Sequence, residues 1–144
     1  RDNGKGMSQK TLKSVTDPFY TTRKTRKVGM GIPLFQFAAE QTGGNVTIES
    51  RHIDAHPESH GTVISALFYK NHIDFTPLGD VISTVTTLIQ GHPNVDFVFL
   101  HKINDSEISL DTRELRAVLD DVPLDTFEIL IWIKENLREQ YNSI

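Results

Sequence analysis

Hydrophobic and polar positions repeat along this chain with two periods, and the periods mark its elements. Residues 8–15 read as a short helix: Ser8 can cap it, Leu12 and Val15 give it one apolar edge, and Asp17-Pro18 stops it. Residues 31–42 repeat at helical spacing, with Ile32, Phe35, Ala38 and Ala39 on one side. Pro33 is compatible with a helix there because it falls in the first turn, and Gly43-Gly44 ends the pattern. Residues 45–50 and 62–69 are rich in Val, Ile and Phe and read as strands, separated by a His-rich loop from His52 to His60. Residues 21–27 are polar and basic without periodicity, which predicts a mobile loop, poorly ordered when nothing is bound to it.

The pattern changes near Asn71. Thr76 reads as an N-cap with Pro77 at the first helical position, and Leu78, Val81, Ile82, Val85, Leu88 and Ile89 then keep helical spacing up to Gly91. Residues 95–103 read as a strand, and the apolar run from Phe97 to Leu100 predicts burial on both its faces. Asn104-Asp105-Ser106 turns the chain into a second strand over 107–110. Two capping boxes, Asp111 with Glu114 and Asp125 with Glu128, start helices over 112–120 and 126–141. In the last helix Ile129, Leu130, Ile131, Trp132 and Ile133 are consecutive and cover more than one helical face. Either that helix is surrounded within its own module, or it keeps an apolar surface around Trp132 for another chain. The expected class is α+β, with one domain over 1–70 and an αββαα module over 71–144.

Composition changes this picture little, and charge changes it more. The 144 residues are 38% hydrophobic and 24% charged, enough for a packed core. There is no Cys, so a disulfide framework and a thiolate zinc site are excluded, and a reducing compartment such as the cytoplasm fits. No apolar run reaches the length of a membrane span, and no membrane partner is expected. The net charge of −4 is uneven: the first 27 residues hold eight of the 15 Lys and Arg but two of the 19 acids. A basic stretch beside glycine-rich loops suits capture of a polyanion. The acidic remainder would repel a duplex, so nucleic acid is not the expected partner.

Three stretches carry candidate chemistry. Asp2-Asn3-Gly4-Lys5-Gly6 places a carboxylate ahead of two glycines. Such a carboxylate can accept from an exocyclic amine while glycines let backbone pass close to a flat ring; the same residues also make an ordinary turn. Asp17-Pro18-Phe19-Tyr20-Thr21-Thr22-Arg23 puts two aromatics before hydroxyls and a cation. Gly29-Met30-Gly31-Ile32 opens a helix whose free N–H groups suit an anion, or it is a plain hinge. His52, His56 and His60 are spaced by four, but Pro57 and Gly61 make this a loop rather than a metal-binding helix, and no metal ligand set is expected. Asp111 follows a strand as a phospho-accepting Asp can, yet its partner Glu114 makes capping the simpler role.

In this order and spacing the three stretches resemble the first glycine box, the F box and the second glycine box of the GHKL ATPases, the superfamily of histidine kinases, DNA gyrase, heat-shock chaperone ATPases and MutL. The resemblance covers residues 1 to about 69 and includes His60-Gly61-Thr62 at the start of the last strand. It implies a partial α/β sandwich, a mixed sheet with helices on one face, joined to the smaller module. It also implies that Asp2 receives the adenine amine, that Gly4 and Gly6 form the pocket edge, and that Phe19 and Tyr20 anchor a lid. Thr21, Thr22 and Arg23, with Lys24 and Arg26, would then reach the phosphates, Arg23 first. Gly29, Met30, Gly31 and Ile32 would bind phosphate at the helix start, and Thr62 joins the ATP-binding set. The family usually has Gly where this chain has Lys27, which puts the lid's detail in question.

The resemblance implies ATP or ADP as ligand, with Mg²⁺ held by an Asn on a helix that would lie upstream of Arg1. On that reading this chain by itself is expected to be inactive, with no catalytic residue of its own. The parent is expected to be a bacterial phosphotransfer signalling kinase directed at His or Ser. The alternative is a nucleotide-sensing or partner-binding module that dimerises through its C-terminal part. Residues 72–144 loosely resemble an acidic extension that follows such domains in some bacterial proteins, some of them associated with iron-only hydrogenases.

Overall fold

In the computed structural model of the chain, residues 1–20 and 29–144 are described. They form two compact units, Arg1–Pro77 and Leu78–Ile144.

The first unit contains α1 (Gln9–Ser14), α2 (Gly31–Gln41), β1 (Asn45–Arg51) and β2 (Gly61–Leu67). Ser8 caps α1 by accepting from the Thr11 N–H at 3.2 Å. β1 and β2 pair antiparallel, with Ser50 opposite Thr62 and Asn45 opposite Leu67. A third segment joins their edge through one residue, Asp2, which bridges Thr62. Of the mixed sheet implied by the resemblance, the described residues contain this antiparallel pair and its bridge. Thr42 fastens the end of α2 to the end of β2: its hydroxyl donates to the Ala39 carbonyl at 2.8 Å and accepts from the Tyr69 N–H at 3.2 Å. Phe35 stacks at a tilt on Phe68, with centroids 5.7 Å apart. Among the described residues of this unit Ala39, Thr42, Gly61 and Thr62 are buried, and no cluster of large apolar side chains is buried with them.

The second unit contains α3 (Val81–Gly91), β3 (Val98–Ile103), β4 (Ser106–Asp111), α4 (Thr112–Leu119) and α5 (Phe127–Asn142), the αββαα order. Its core is Val85 and Ile89 of α3, Ile108 and Leu110 of β4, Leu124, and Leu130, Ile133 and Leu137 of α5. Together these give an α+β chain.

Local chemistry moves three boundaries away from expectation. α3 starts at Val81, not at Pro77, because Asp80 is the better cap: its Oδ1 accepts from the Ser83 N–H at 2.8 Å and its Oδ2 from the Ser83 hydroxyl at 2.6 Å. Leu78, expected in the helix, is exposed before it. β3 is covered on one face only, since Val98 and Leu100 are exposed while Phe99 and Ile103 pack on the core. An antiparallel hairpin with helices on one side leaves its other face to water. At α5 the N-cap residue is Thr126, one position after Asp125, and it makes no side-chain capping bond. Asp111 does cap α4, but through the Arg113 N–H at 2.9 Å rather than by a box with Glu114.

Candidate functional site

The site candidates in the first unit gather around one row of side chains running across three segments. Asp2 and Thr62 exchange both backbone hydrogen bonds, at 2.8 and 3.2 Å, and Thr62 in turn faces Ser50 across the hairpin. Residues directly opposite in such a ladder share a face, so Asp2, Thr62 and Ser50 form a polar row. Gly61 lies at φ +134 with its Cα against the Asp2 carbonyl; a Cβ there would stand 2.2 Å from that oxygen, so the bridge requires glycine.

The glycine loop is stitched to the hairpin at every second or third residue. Asp2 Oδ1 accepts from the Gly4 N–H at 2.9 Å and closes a tight turn. The Gly4 carbonyl lies 2.7 Å from His60 Nδ1; a carbonyl only accepts, so this nitrogen carries the proton. The Lys5 carbonyl accepts from the Ile53 N–H at 2.8 Å. Gly6, at φ +69, passes so close to Arg51 that a Cβ would fall 1.9 Å from its carbonyl oxygen. The Met7 N–H donates to Ser50 Oγ at 2.8 Å.

Proton counting then fixes what the row offers. Ser50 Oγ accepts from Met7, lies 3.1 Å from the Gly61 carbonyl and 2.9 Å from Thr62 Oγ1. It has one proton, which goes to the Gly61 carbonyl, so Thr62 donates to Ser50. Thr62 Oγ1 then keeps its lone pairs as an acceptor on the strand position opposite Asp2, whose Oδ2 has no partner among the described residues. Two adjacent acceptors match an amine with two protons.

The second glycine pair sits at the start of α2. The Gly29 N–H donates to the Pro18 carbonyl at 3.2 Å, and the first described helical bond runs from the Leu34 N–H to the Met30 carbonyl. No side chain caps this end, and no acid lies in its first turn. The N–H groups of Gly31 and Ile32 have no acceptor among the described residues, Pro33 has none to offer, and the space beside Gly31 is open. A helix start of this kind carries partial positive charge. No hydrogen bond among the described residues joins it directly to the Asp2 loop.

Phe19, expected to anchor the lid, is 81% exposed on a turn closed by Asp17; Tyr20 is the packed aromatic, its hydroxyl 3.5 Å from Thr11 Oγ1. Thr21, Thr22, Arg23 and Lys27, with Lys24, Arg26 and the expected lid disorder, lie outside the described residues. Of the residues that support the row, Ser50 lies in no motif, and His60 stands in the His60-Gly61-Thr62 stretch without a role assigned to its side chain. Ser50 could have been found from strand pairing, which sets it opposite Thr62.

The second unit has an open cleft of about 330 Å³ between the start of α3, β3 and the end of α5. Its polar groups are used within the fold: Asp80 caps α3, and His101 Nδ1 lies 2.5 Å from the Tyr141 hydroxyl. Among the described residues no three His, Asp or Glu side chains gather as a metal set, and no helix is long and apolar enough to cross a membrane.

A strand-edge carboxylate, a glycine loop bonded to the hairpin and a helix start flanked by glycines all lie within the first unit of this α+β chain. The family model for histidine kinase-, DNA gyrase B- and HSP90-like ATPases matches residues 1–72, half of the chain, and the chain belongs to that family of ATP-binding domains. No curated protein and no solved structure matches it.

Proposed function

We propose that the first unit holds ATP with its adenine amine on Asp2 and its phosphates toward the start of α2, as part of a histidine-kinase-like phosphotransfer enzyme. The acceptor pair of Asp2 and Thr62 carries the reading of the base, since it meets both protons of an exocyclic amine. Gly4 and Gly6 keep side chains away from the ring face. Met30 and the backbone N–H groups of Gly31 and Ile32 form the anion end, where the dipole of α2 favours phosphate oxygens. Thr21, Thr22, Arg23 and Lys27 supply hydroxyls and charge between the two ends of the sequence motif. Mg²⁺ bound with the ATP would neutralise charge on the phosphates, and none of the residues named for this site is assigned to hold it. The second unit, with Ile131 and Trp132 exposed and no chemical cluster among its described residues, serves association with a protein partner or a second copy.

Calorimetry with ATP tests the base assignment. Asp2→Asn is expected to weaken binding about ten- to hundredfold, the scale of the ~1.5–3 kcal/mol carried by a hydrogen bond to a charged group. Unchanged affinity would remove the adenine from Asp2. In the full-length parent, label transfer from γ-labelled ATP to a His or Ser side chain supports the kinase; tight nucleotide binding by the parent without any transfer makes it a nucleotide sensor.

A further inference from the structure

The two edges of the β3–β4 hairpin are treated differently. On β4, the side chain of Gln140 takes the place of a missing strand: its Oε1 accepts from the Ser109 N–H at 2.9 Å and its Nε2 donates to the Ser109 carbonyl at 3.1 Å. Asn136, one turn back on α5, holds that amide in place at 2.7 Å. Since both backbone groups of Ser109 point away from β3, those of Leu100, directly opposite, point away from β4. A second bond fixes the same phase: the Thr112 N–H donates to the Phe97 carbonyl at 2.9 Å, so bonded pairs fall on Phe97, Phe99, His101 and Ile103. Val98, Leu100 and Lys102 therefore direct their N–H and C=O groups outward, and these have no partner among the described residues.

Their side chains are outward too, with Val98 63% and Leu100 52% exposed. The usual blunting devices are absent from β3: it has no proline, no bulge in its register and no inward-pointing charge. Its one edge lysine, Lys102, is neutralised by Glu107 across the hairpin at 3.1 Å.

We propose that β3 pairs antiparallel with β3 of a second copy about a two-fold axis at Leu100, joining two hairpins into one four-stranded sheet. This deepens the association reading of the second unit but uses a surface other than the Trp132 face. A two-fold interface must be self-complementary. Here Leu100 exchanges N–H and C=O with Leu100 of the second copy, and Val98 falls opposite Lys102, so no like charges meet across the seam. Leu100 and Val98 of the two copies make a continuous apolar strip on the outer face. The strip is short, so the dimer is weak and depends on concentration.

The chain has no Cys, so Leu100→Cys carries one thiol at the proposed axis. Bonded antiparallel pairs have Cα atoms about 5.5 Å apart, which brings the two thiols within reach of a short bifunctional thiol reagent. With such a reagent Leu100→Cys should form covalent dimer much faster than Val118→Cys, on the exposed face of α4. Equal rates overturn the proposal. In sedimentation of the whole chain over a concentration series, wild type should show reversible dimer and Leu100→Lys only monomer, with the same melting temperature. Wild-type monomer up to millimolar concentration overturns both this edge and the association reading. A dimer that survives Leu100→Lys but is lost in Trp132→Ala overturns the edge alone.

Discussion

Ser50 has one proton to give and three polar neighbours, and that shortage sets the character of the row beside it. Replacing it by alanine leaves the half-buried Met7 N–H without an acceptor and lets the Thr62 hydroxyl turn its proton outward. The lost bond costs about 1–3 kcal/mol in the first unit. Because an outward proton would face a donor amine, ATP affinity should fall as well. Ser50→Ala that binds ATP like wild type would mean that the row is scaffold only. At this scale legibility was divided. Asp2, Gly4, Gly6 and Thr62 stand out because their types and spacing form a motif. The roles of the Ser50 and His60 side chains do not, because each acts through partners that are distant in sequence. A pairing register is needed to see them.

Two helix starts in the second unit, those of α3 and α4, depend on carboxylates that are easier to ionise than usual. The Ser83 hydroxyl and N–H lower the pKa of Asp80, and the Arg113 side chain and N–H lower that of Asp111. Burial raises the pKa of Tyr141. For the two aspartates the folded value lies below the unfolded one. Their contribution is complete above the ordinary 3.8 and disappears as pH falls through the lowered values. For Tyr141 the sign reverses: its contribution is complete below 10.0 and is lost as pH rises through the raised value. Melting temperature should therefore fall at both ends of the pH range. In Asp80→Ala the acid limb should become shallower without vanishing, since Asp111 remains. An acid limb of unchanged depth would sink the assignment to Asp80. The same cap explains a misplaced boundary. Thr76-Pro77 has the form of a helix start, but Gly79 is a poor helix former and Asp80-x-x-Ser83 is a stronger stop on the backbone. In α5 the five consecutive apolar residues divide, with Leu130 and Ile133 in the core and Ile131 and Trp132 facing out.

At the scale of the whole molecule, the apolar core and the nucleotide chemistry belong to different units. Every residue of the buried cluster lies in Leu78–Ile144, whereas the candidate site lies in Arg1–Pro77. A fragment of residues 78–144 should melt cooperatively on its own, and a broad, featureless melt would show that it borrows stability from elsewhere. In the intact chain the amides of β1 and β2 should exchange faster than those of β4 and α5, because few buried contacts protect them. Much of this division was legible, since periodicity marks helices whose apolar faces close on one another, while the glycine motifs mark a site that needs no core to be recognised. What periodicity left open was which side of β3 faces water, as an apolar run has the same appearance whether one face or two is covered. The position of the chain's one tryptophan has a practical outcome. Trp132 is half exposed on α5, in the unit that holds the whole buried cluster, so its emission follows the unfolding of that unit. A melt watched at its wavelength reads the second unit alone, in the natural protein and without a dye.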